Sequence, residues 1–299
     1  MNQIALFAGL VAAGYVTRVI LELVAKNAGV YSVLVKALTN AVYYALIPLS
    51  FFATFLKRGL LSVDAVIAAY FVAFMLSAYA ASTRLFSGVE RYSILLLSAF
   101  PNSVFLGFPV CQVLFGNVKV AALFGTVTVA LNVIVPDLIK AGRPSLGLAK
   151  SLATSTALLG FAAGTLAHYA LEPSVAAGVH EYLAWSTPAL SYTATFVMGM
   201  RIPVKPSGFR RHARLVGFVA LARFAAAPLA SLAFSLPAGF SREDALQLLV
   251  VSMMPPAVMN TLVAQKHNWN PELVALATAV LTVAFLLAFP ILYLAVALS

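Results

Sequence analysis

The sequence predicts an all-α polytopic membrane protein with ten transmembrane helices, arranged as two five-helix repeats of opposite orientation. Of its 299 residues, 62% are hydrophobic and only 9% are charged, which is too little charge to cover a soluble domain of this length. Apolar stretches long enough to cross a bilayer recur from one end of the chain to the other. Two of these stretches are interrupted by prolines at matching places in the two halves.

The ten predicted spans are numbered in chain order. A span needs about 20 apolar residues, and stretches of that length cover 4–23, 33–56, 62–83, 92–115, 118–139, 148–169, 182–200, 213–236, 245–264 and 273–298. The first is counted as a span rather than a cleaved signal peptide. The three residues before it carry no Lys or Arg, and nine further spans follow.

The basic residues lie mostly on one side of these spans, singly in short loops, which argues against nucleic-acid binding despite a net charge of +10. Arg223 falls near the middle of span 8, whereas the other basic residues fall in loops or close to the end of a span. The positive-inside rule places both termini outside the cell membrane, in agreement with an even number of spans. The loops after odd-numbered spans hold Arg18, Lys26, Lys36, Arg84, Arg91, Lys140, Arg143, Lys150, Arg201, Lys205, Arg210, Arg211, Arg214 and Lys266, and the other side holds Lys57, Arg58, Lys119 and Arg242.

The connection over 140–150 divides the chain into residues 1–140 and 141–299, each with five spans. Because five is odd, two halves of the same fold must have opposite orientations, which is the plan of many secondary transporters. Asn117-Val-Lys-Val-Ala-Ala-Leu opens span 5 and Asn270-Pro-Glu-Leu-Val-Ala-Leu opens span 10. This short similarity weakly supports an inverted repeat.

Spans 4 and 9, the fourth of each half, contain helix-breaking residues. Span 4 carries Pro101-Asn102-Ser-Val-Phe-Leu-Gly107-Phe-Pro109, and span 9 carries Pro255-Pro256-Ala-Val-Met-Asn260. A proline interrupts a helix, and freed backbone groups are tolerated in a membrane only inside protein or a wet cavity. A helix that restarts there exposes N–H groups and about half a positive charge. The pattern therefore predicts an anion site with asparagine amide donors; the alternative is a pair of tolerated kinks.

Other polar residues in the spans are open to two interpretations. Arg223 could pair with a substrate carboxylate or with Asp137 or Asp64, or its side chain could extend to the membrane interface. Asn132 in span 5 could hydrogen-bond a substrate or another helix. Asp64 begins span 3, where an acid ordinarily complements the helix dipole. The single cysteine and four histidines show no metal-ligand spacing, and no nucleophile–base pair is present, so neither an enzyme nor a cofactor is expected.

Several motifs resemble those of the auxin efflux carrier family, which includes plant PIN-type exporters and bacterial organic-acid carriers. The segment from Asn102 to Pro109 is similar to the N-x-x-x-x-G-x-P segment of that family. Three others follow in the family's order: Leu46-Ile-Pro48-Leu-Ser-Phe-Phe, Phe196-Val-Met-Gly199-Met, and Ala264-Gln-Lys-His-Asn268-Trp-Asn-Pro271-Glu-Leu.

The resemblance implies a fold of two inverted five-helix repeats in which spans 4 and 9 cross at their broken centres. It also implies an elevator motion of spans 3–5 and 8–10, the transport core, against a scaffold of spans 1, 2, 6 and 7. A support-site residue is implied at Asp64. The chain lacks the long loop of the plant proteins between spans 5 and 6, and Asn260 replaces the second proline of their P-Q-G-I-V-P pattern. The first departure implies that regulation by phosphorylation in that loop is absent, and the second favours the prokaryotic branch.

The predicted function is that of a secondary transporter for a small organic anion, a mono- or dicarboxylate, with auxin-like indole acids included. The alternatives are a sodium-coupled symporter of the bile-acid type and a receptor that uses the same pocket without transport. Expected partners are the anion and the lipid bilayer, without nucleic acid or metal; substrate, ion coupling, direction and a homodimeric state stay open. The candidate substrate-binding residues are Asn102, Gly107, Pro109, Pro255, Pro256, Asn260, Asn132 and Arg223.

Overall fold

The computed structural model describes residues 3–24, 28–142, 146–202 and 209–298, so the loop cations Lys26, Arg143 and Lys205 lie outside the described residues. The helices are α1 Gln3–Val19, α2 Ala28–Ala41, α3 Ile47–Arg58, α4 Ser62–Leu85, α5 Glu90–Ala99, α6 Phe108–Phe115, α7 Lys119–Ala141, α8 Leu146–Ala153, α9 Thr156–Ala170, α10 Pro173–Leu183, α11 Ser186–Arg201, α12 Phe209–Leu221, α13 Ala227–Ser235, α14 Arg242–Ser252, α15 Met259–His267 and α16 Pro271–Leu298. Four π-helical turns join some of them: Ile20–Val24, Val42–Leu46, Ser103–Gly107 and Ala222–Ala226.

Six helical segments among the described residues are long and apolar enough to cross a membrane. They correspond to predicted spans 1, 2, 3, 5, 8 and 10, and they confirm a polytopic helical membrane protein. The other four spans are not single helices of that length, and the ten-helix inverted repeat stays a prediction. The six segments are Ala5–Glu22, Gly29–Arg58, Ser62–Leu85, Lys119–Lys140, Arg211–Ser235 and Pro271–Val296.

Spans 6 and 7 differ from the predicted continuous stretches. Span 6 divides into α8 and α9, because three consecutive hydroxyl residues, 154–156, offer the backbone competing hydrogen bonds. Thr156 donates its hydroxyl to the carbonyl of Tyr43 at 2.8 Å. Span 7 begins only at Ser186, since α10 forms a separate helix before it. Pro173 opens α10 at a position where its missing N–H costs nothing.

Three of the four π-helical turns come directly before a helix whose second residue is a proline, namely Pro48, Pro109 or Pro228. A proline ring clashes with the carbonyl four residues earlier in an α-helix and supplies no N–H to it. The wider π turn, with its i to i+5 bonding, moves that carbonyl out of the way. These prolines therefore re-shape their helices without ending them.

The chain forms two compact units, each drawn from both halves of the sequence. The first unit is Met1–Leu61, Val104–Ala122 and Ala153–Val204, and the second is Ser62–Ser103, Leu123–Leu152 and Lys205–Ser299. The first unit holds spans 1, 2, 6 and 7 together with the second part of span 4. The second unit holds spans 3, 8, 9 and 10, most of span 5 and the first part of span 4.

Glycines bring the backbones of the first unit into close contact. A Cβ added to Gly14 on α1 would collide with the carbonyl of Phe196, and one added to Gly199 on α11 would collide with the carbonyl of Val11. Gly160 on α9 lies in the same way against Pro48 on α3. Small residues at helix contacts are the usual device of membrane proteins, where association depends on close packing.

Gly199→Ala is expected to lower the thermal unfolding midpoint of the detergent-solubilised protein. The added methyl has no room against the Val11 carbonyl, and overpacking of this kind costs about 1–3 kcal/mol. Gly9→Ala is the matched control, because a Cβ there meets nothing within 4 Å. Equal unfolding midpoints for the two variants would show that the helices do not approach as described.

Candidate functional site

Two helices of the second unit end at the predicted prolines. Helix α5 ends at Ala99 and α14 ends at Ser252. Helical structure resumes at Ser103 after the first interruption and at Met259 after the second. Spans 4 and 9 are therefore broken where the sequence places Pro101 and Pro255-Pro256.

The two interrupted segments pair with each other as a short antiparallel bridge. The N–H of Asn102 donates to the carbonyl of Pro255 at 2.7 Å, and the N–H of Ala257 donates to the carbonyl of Phe100 at 3.0 Å. Pro101 and Pro256 face each other between these bonds. In a non-hydrogen-bonded antiparallel pair the N–H positions point away from the partner, so two prolines there cost no ladder bond. The bridge satisfies backbone groups that the broken helices leave free.

Asn260 holds the end of α5. It is fully buried, and its amide nitrogen donates to the carbonyls of Leu96 and Phe100, both at 2.9 Å. The Leu96 carbonyl also accepts the N–H of Phe100 at 3.2 Å, and the Phe100 carbonyl accepts that of Ala257, so the amide gives each of them a second hydrogen bond. Both donors of the Asn260 amide are therefore used by the protein itself.

Asn132 on α7 completes this network. Its amide nitrogen donates to the side-chain oxygen of Asn260 at 3.0 Å. The orientation is fixed, because backbone carbonyls only accept and Asn260 must turn its NH₂ group toward them. The side-chain oxygen of Asn132 is left without a partner among the described residues, and the residue is buried. Asn132 therefore bonds another helix, as one interpretation expected, and its contact with a substrate stays a prediction.

Asn102 carries a free donor at the crossing. The residue is 3% exposed, and its side-chain nitrogen has no hydrogen-bond partner within the part of the chain that the structure describes. A buried donor left unpaired costs about 1–3 kcal/mol, so such groups in native proteins call for an explanation. Of the two asparagines predicted as amide donors, Asn102 is the one whose donor is available.

Arg223 binds carbonyls rather than carboxylates. It lies in the π turn before α13 and is 1% exposed, so its side chain does not reach an interface. Its guanidinium donates to the carbonyls of Met254 at 3.0 Å, Ser98 at 2.9 Å and Ser252. The sequence alternative in which Arg223 pairs with Asp137 or Asp64 is therefore wrong. The carbonyls at a helix end carry partial negative charge, so they can take the place of a carboxylate as partners of a guanidinium.

The remaining predicted residues divide between the units. Pro255, Pro256 and Asp64 belong to the second unit, where Asp64 is buried in the first turn of α4. Gly107 and Pro109 belong to the first unit. There Pro109 lines a small, mainly apolar cavity with residues of α1 and α11.

A polar cluster lies where α15 ends. Lys266 bonds both carboxylate oxygens of Asp137, at 2.7 and 3.0 Å, and Nε2 of His267 lies 3.0 Å from the nearer one. Burial lowers the pKa of His267 below its ordinary value, although Asp137 opposes this effect. The His267 ring stacks on Trp269, which stacks on Tyr92. In the sequence, this cluster is indicated by the 264–273 motif, which contains Lys266, His267 and Trp269.

Two observations restrict the chemistry. Among the described residues no group of three or more His, Cys, Asp or Glu side chains could hold a metal ion. The side chains that bond across the crossing are two amides and a guanidinium, which can bind a ligand but do not act as nucleophiles.

Comparison with known proteins adds one finding. A family model described as "Membrane transport protein" matches residues 189–296. The match includes Arg223, the break in span 9 and the 264–273 motif, but not the segment around Asn102. No curated protein has a sequence that matches the chain significantly. The match supports the family to which the motifs pointed, the membrane transport family that includes the auxin efflux carriers, whose members are transporters and not enzymes.

Proposed function

We propose that the chain is a secondary transporter that moves a small organic anion, a carboxylate, by elevator-type alternating access. The observation that carries the proposal is the free, buried amide donor of Asn102 at the point where two broken helices pair. A carboxylate oxygen is the natural acceptor for such a donor, and a charge-assisted hydrogen bond is stronger than a neutral one.

The polarity of the crossing supports an anion. The C-terminal ends of α5 and α14 are taken by Asn260 and Arg223. Asn102 comes directly before the helical segment that begins at Ser103. A helix start favours negative charge, because its N–H groups are free and its dipole end is positive.

The side-chain oxygen of Asn132 supports a narrower class of substrate. It is a buried acceptor joined to the crossing through Asn260. A substrate hydroxyl or N–H group would satisfy it. We therefore expect carboxylates that also carry such a donor, for example hydroxy acids or indole acids, to bind better than carboxylates without one.

The division into two compact units supports the elevator mechanism. Spans 1, 2, 6 and 7 belong to one unit, and the paired breaks belong to the other, together with spans 3, 8 and 10. This agrees with a scaffold and a transport core, except that the second part of span 4 belongs to the scaffold-like unit. The asymmetry of the loop cations supports both termini outside the cell membrane.

Reconstituted vesicles test this function. A panel of mono- and dicarboxylates is first screened for thermal stabilisation of the purified protein, because a ligand that binds the folded state raises its stability. The best ligand is then used radiolabelled in counterflow, with sodium or choline as the only external cation. We expect labelled substrate to accumulate transiently in vesicles preloaded with unlabelled substrate. Binding without counterflow would support a receptor, and counterflow only with sodium would support a sodium-coupled symporter.

A further inference from the structure

The guanidinium of Arg223 lies between the C-terminal ends of two different broken helices. Ser98 is in the last turn of α5, and Ser252 is the last residue of α14. Met254, the third acceptor, is the second residue after the end of α14. Three backbone carbonyls from two helix ends therefore converge on one buried cation.

The charges at this point balance without a carboxylate. A helix C-terminus carries roughly half a negative elementary charge, so two ends together roughly neutralise one guanidinium. The ring of Phe74 adds a further contact, with its centroid 5.8 Å from the guanidinium carbon. No acidic side chain is among the contacts of Arg223 in the described part of the chain.

Without Arg223, the same carbonyls would form a cation site. Carbonyls of unwound segments and the C-terminal ends of half-helices are the groups that coordinate coupling cations in transporters with broken helices. Buried carbonyls without partners are costly in a membrane, so a hydrogen-bond donor or a cation must occupy this place. In this chain the group at this place is the guanidinium of Arg223, which is part of the protein.

We propose that Arg223 is a built-in substitute for a bound monovalent cation, which holds the two broken helices together without one. The chain then needs no alkali-metal ion to keep its crossing intact, and Arg223→Ala creates an empty carbonyl-lined site that accepts guanidinium, and more weakly sodium. The role of Arg223 in a transporter rests on the proposed function. Its effect on the stability of the crossing does not depend on that function.

The test measures thermal unfolding of the purified protein in detergent, without substrate, at constant ionic strength. The salts are choline chloride, sodium chloride, and choline chloride with part replaced by guanidinium chloride. The variants are wild type, Arg223→Lys, Arg223→Ala and the control Arg242→Ala, which removes an exposed arginine from the start of α14.

Wild type and Arg242→Ala are expected to unfold at the same temperature in sodium and in choline, and to gain nothing from guanidinium. Arg223→Ala should unfold on the order of 10 °C lower in choline, because it leaves buried carbonyls unpaired. Guanidinium should recover part of that loss in a saturable manner, and sodium a smaller part. Arg223→Lys should fall between wild type and Arg223→Ala, since it keeps the charge but not the fork of donors.

Three results would overturn the proposal: specific stabilisation of wild type by sodium, an Arg223→Ala protein as stable as wild type, or a folded Arg223→Ala protein that guanidinium does not stabilise. If Arg223→Ala cannot be purified folded, wild type and Arg223→Lys still decide. Wild type should unfold at the same temperature in sodium as in choline. Arg223→Lys should unfold at a lower temperature than wild type, and added guanidinium should recover less than that difference. Failure of every carboxylate in counterflow would reject the proposed function and leave these stability results unaffected.

Discussion

Asn102→Ala is expected to weaken carboxylate binding about 10- to 100-fold while the protein stays folded. The lost interaction is one hydrogen bond to a charged group, worth about 1.5–3 kcal/mol, and 1.4 kcal/mol corresponds to a factor of ten in affinity. Stability should be unchanged or slightly higher without ligand, because the Asn102 side-chain nitrogen bonds nothing in the described structure. Titration calorimetry with the best ligand of the screen measures the affinity.

Asn117→Ala is the matched control for this variant. Asn117 comes two residues after the end of span 4, and its side-chain nitrogen donates to the carbonyl of Phe115 at 3.1 Å. It should keep wild-type affinity. If Asn102→Ala binds the carboxylate as tightly as this control, the Asn102 amide does not contact the substrate. The free donor of Asn102 would then no longer support the proposed function.

The interruptions could be predicted from the sequence because proline acts locally. Pro101 and Pro256 remove N–H donors wherever they stand, and no tertiary contact can restore them. The number of continuous spans was harder to predict. The division of span 6 at Ser155 depends on competing side-chain bonds and on a contact to Tyr43, 113 residues earlier, which composition does not reveal.

The roles of the site residues could be predicted only in part, because they depend on contacts between distant segments. Asn132 and Asn260 are 128 residues apart, and the acceptor of Arg223 on α5 is 125 residues from it. Sequence alone identifies these residues as costly polar groups in apolar helices. It does not say that Asn260 and Arg223 bind backbone carbonyls, while Asn102 keeps a donor free.

Asn260→Ala is expected to destabilise the protein more than Asn102→Ala or Asn132→Ala. It leaves the carbonyls of Leu96 and Phe100 short of their side-chain donor and deprives the Asn132 amide of its acceptor. Both carbonyls keep a backbone donor, so each loses a second hydrogen bond worth about 0.5–1.5 kcal/mol, whereas the unpaired Asn132 amide costs about 1–3 kcal/mol. The thermal unfolding midpoint should therefore fall well below that of Asn102→Ala, and the yield of folded protein in detergent should fall with it.

Two further variants make this prediction specific to the donors of Asn260. Asn260→Asp keeps the size of the side chain but cannot donate when ionised, and it brings negative charge to the C-terminal end of α5, so it should be at least as unstable as Asn260→Ala. Asn132→Ala removes one hydrogen bond and also an unpaired oxygen, so its loss should be smaller. If Asn260→Ala unfolds at the wild-type temperature, the amide does not hold the helix end. If Asn260→Asp is the more stable of the two position-260 variants, side-chain volume rather than hydrogen bonding sets the stability of the crossing.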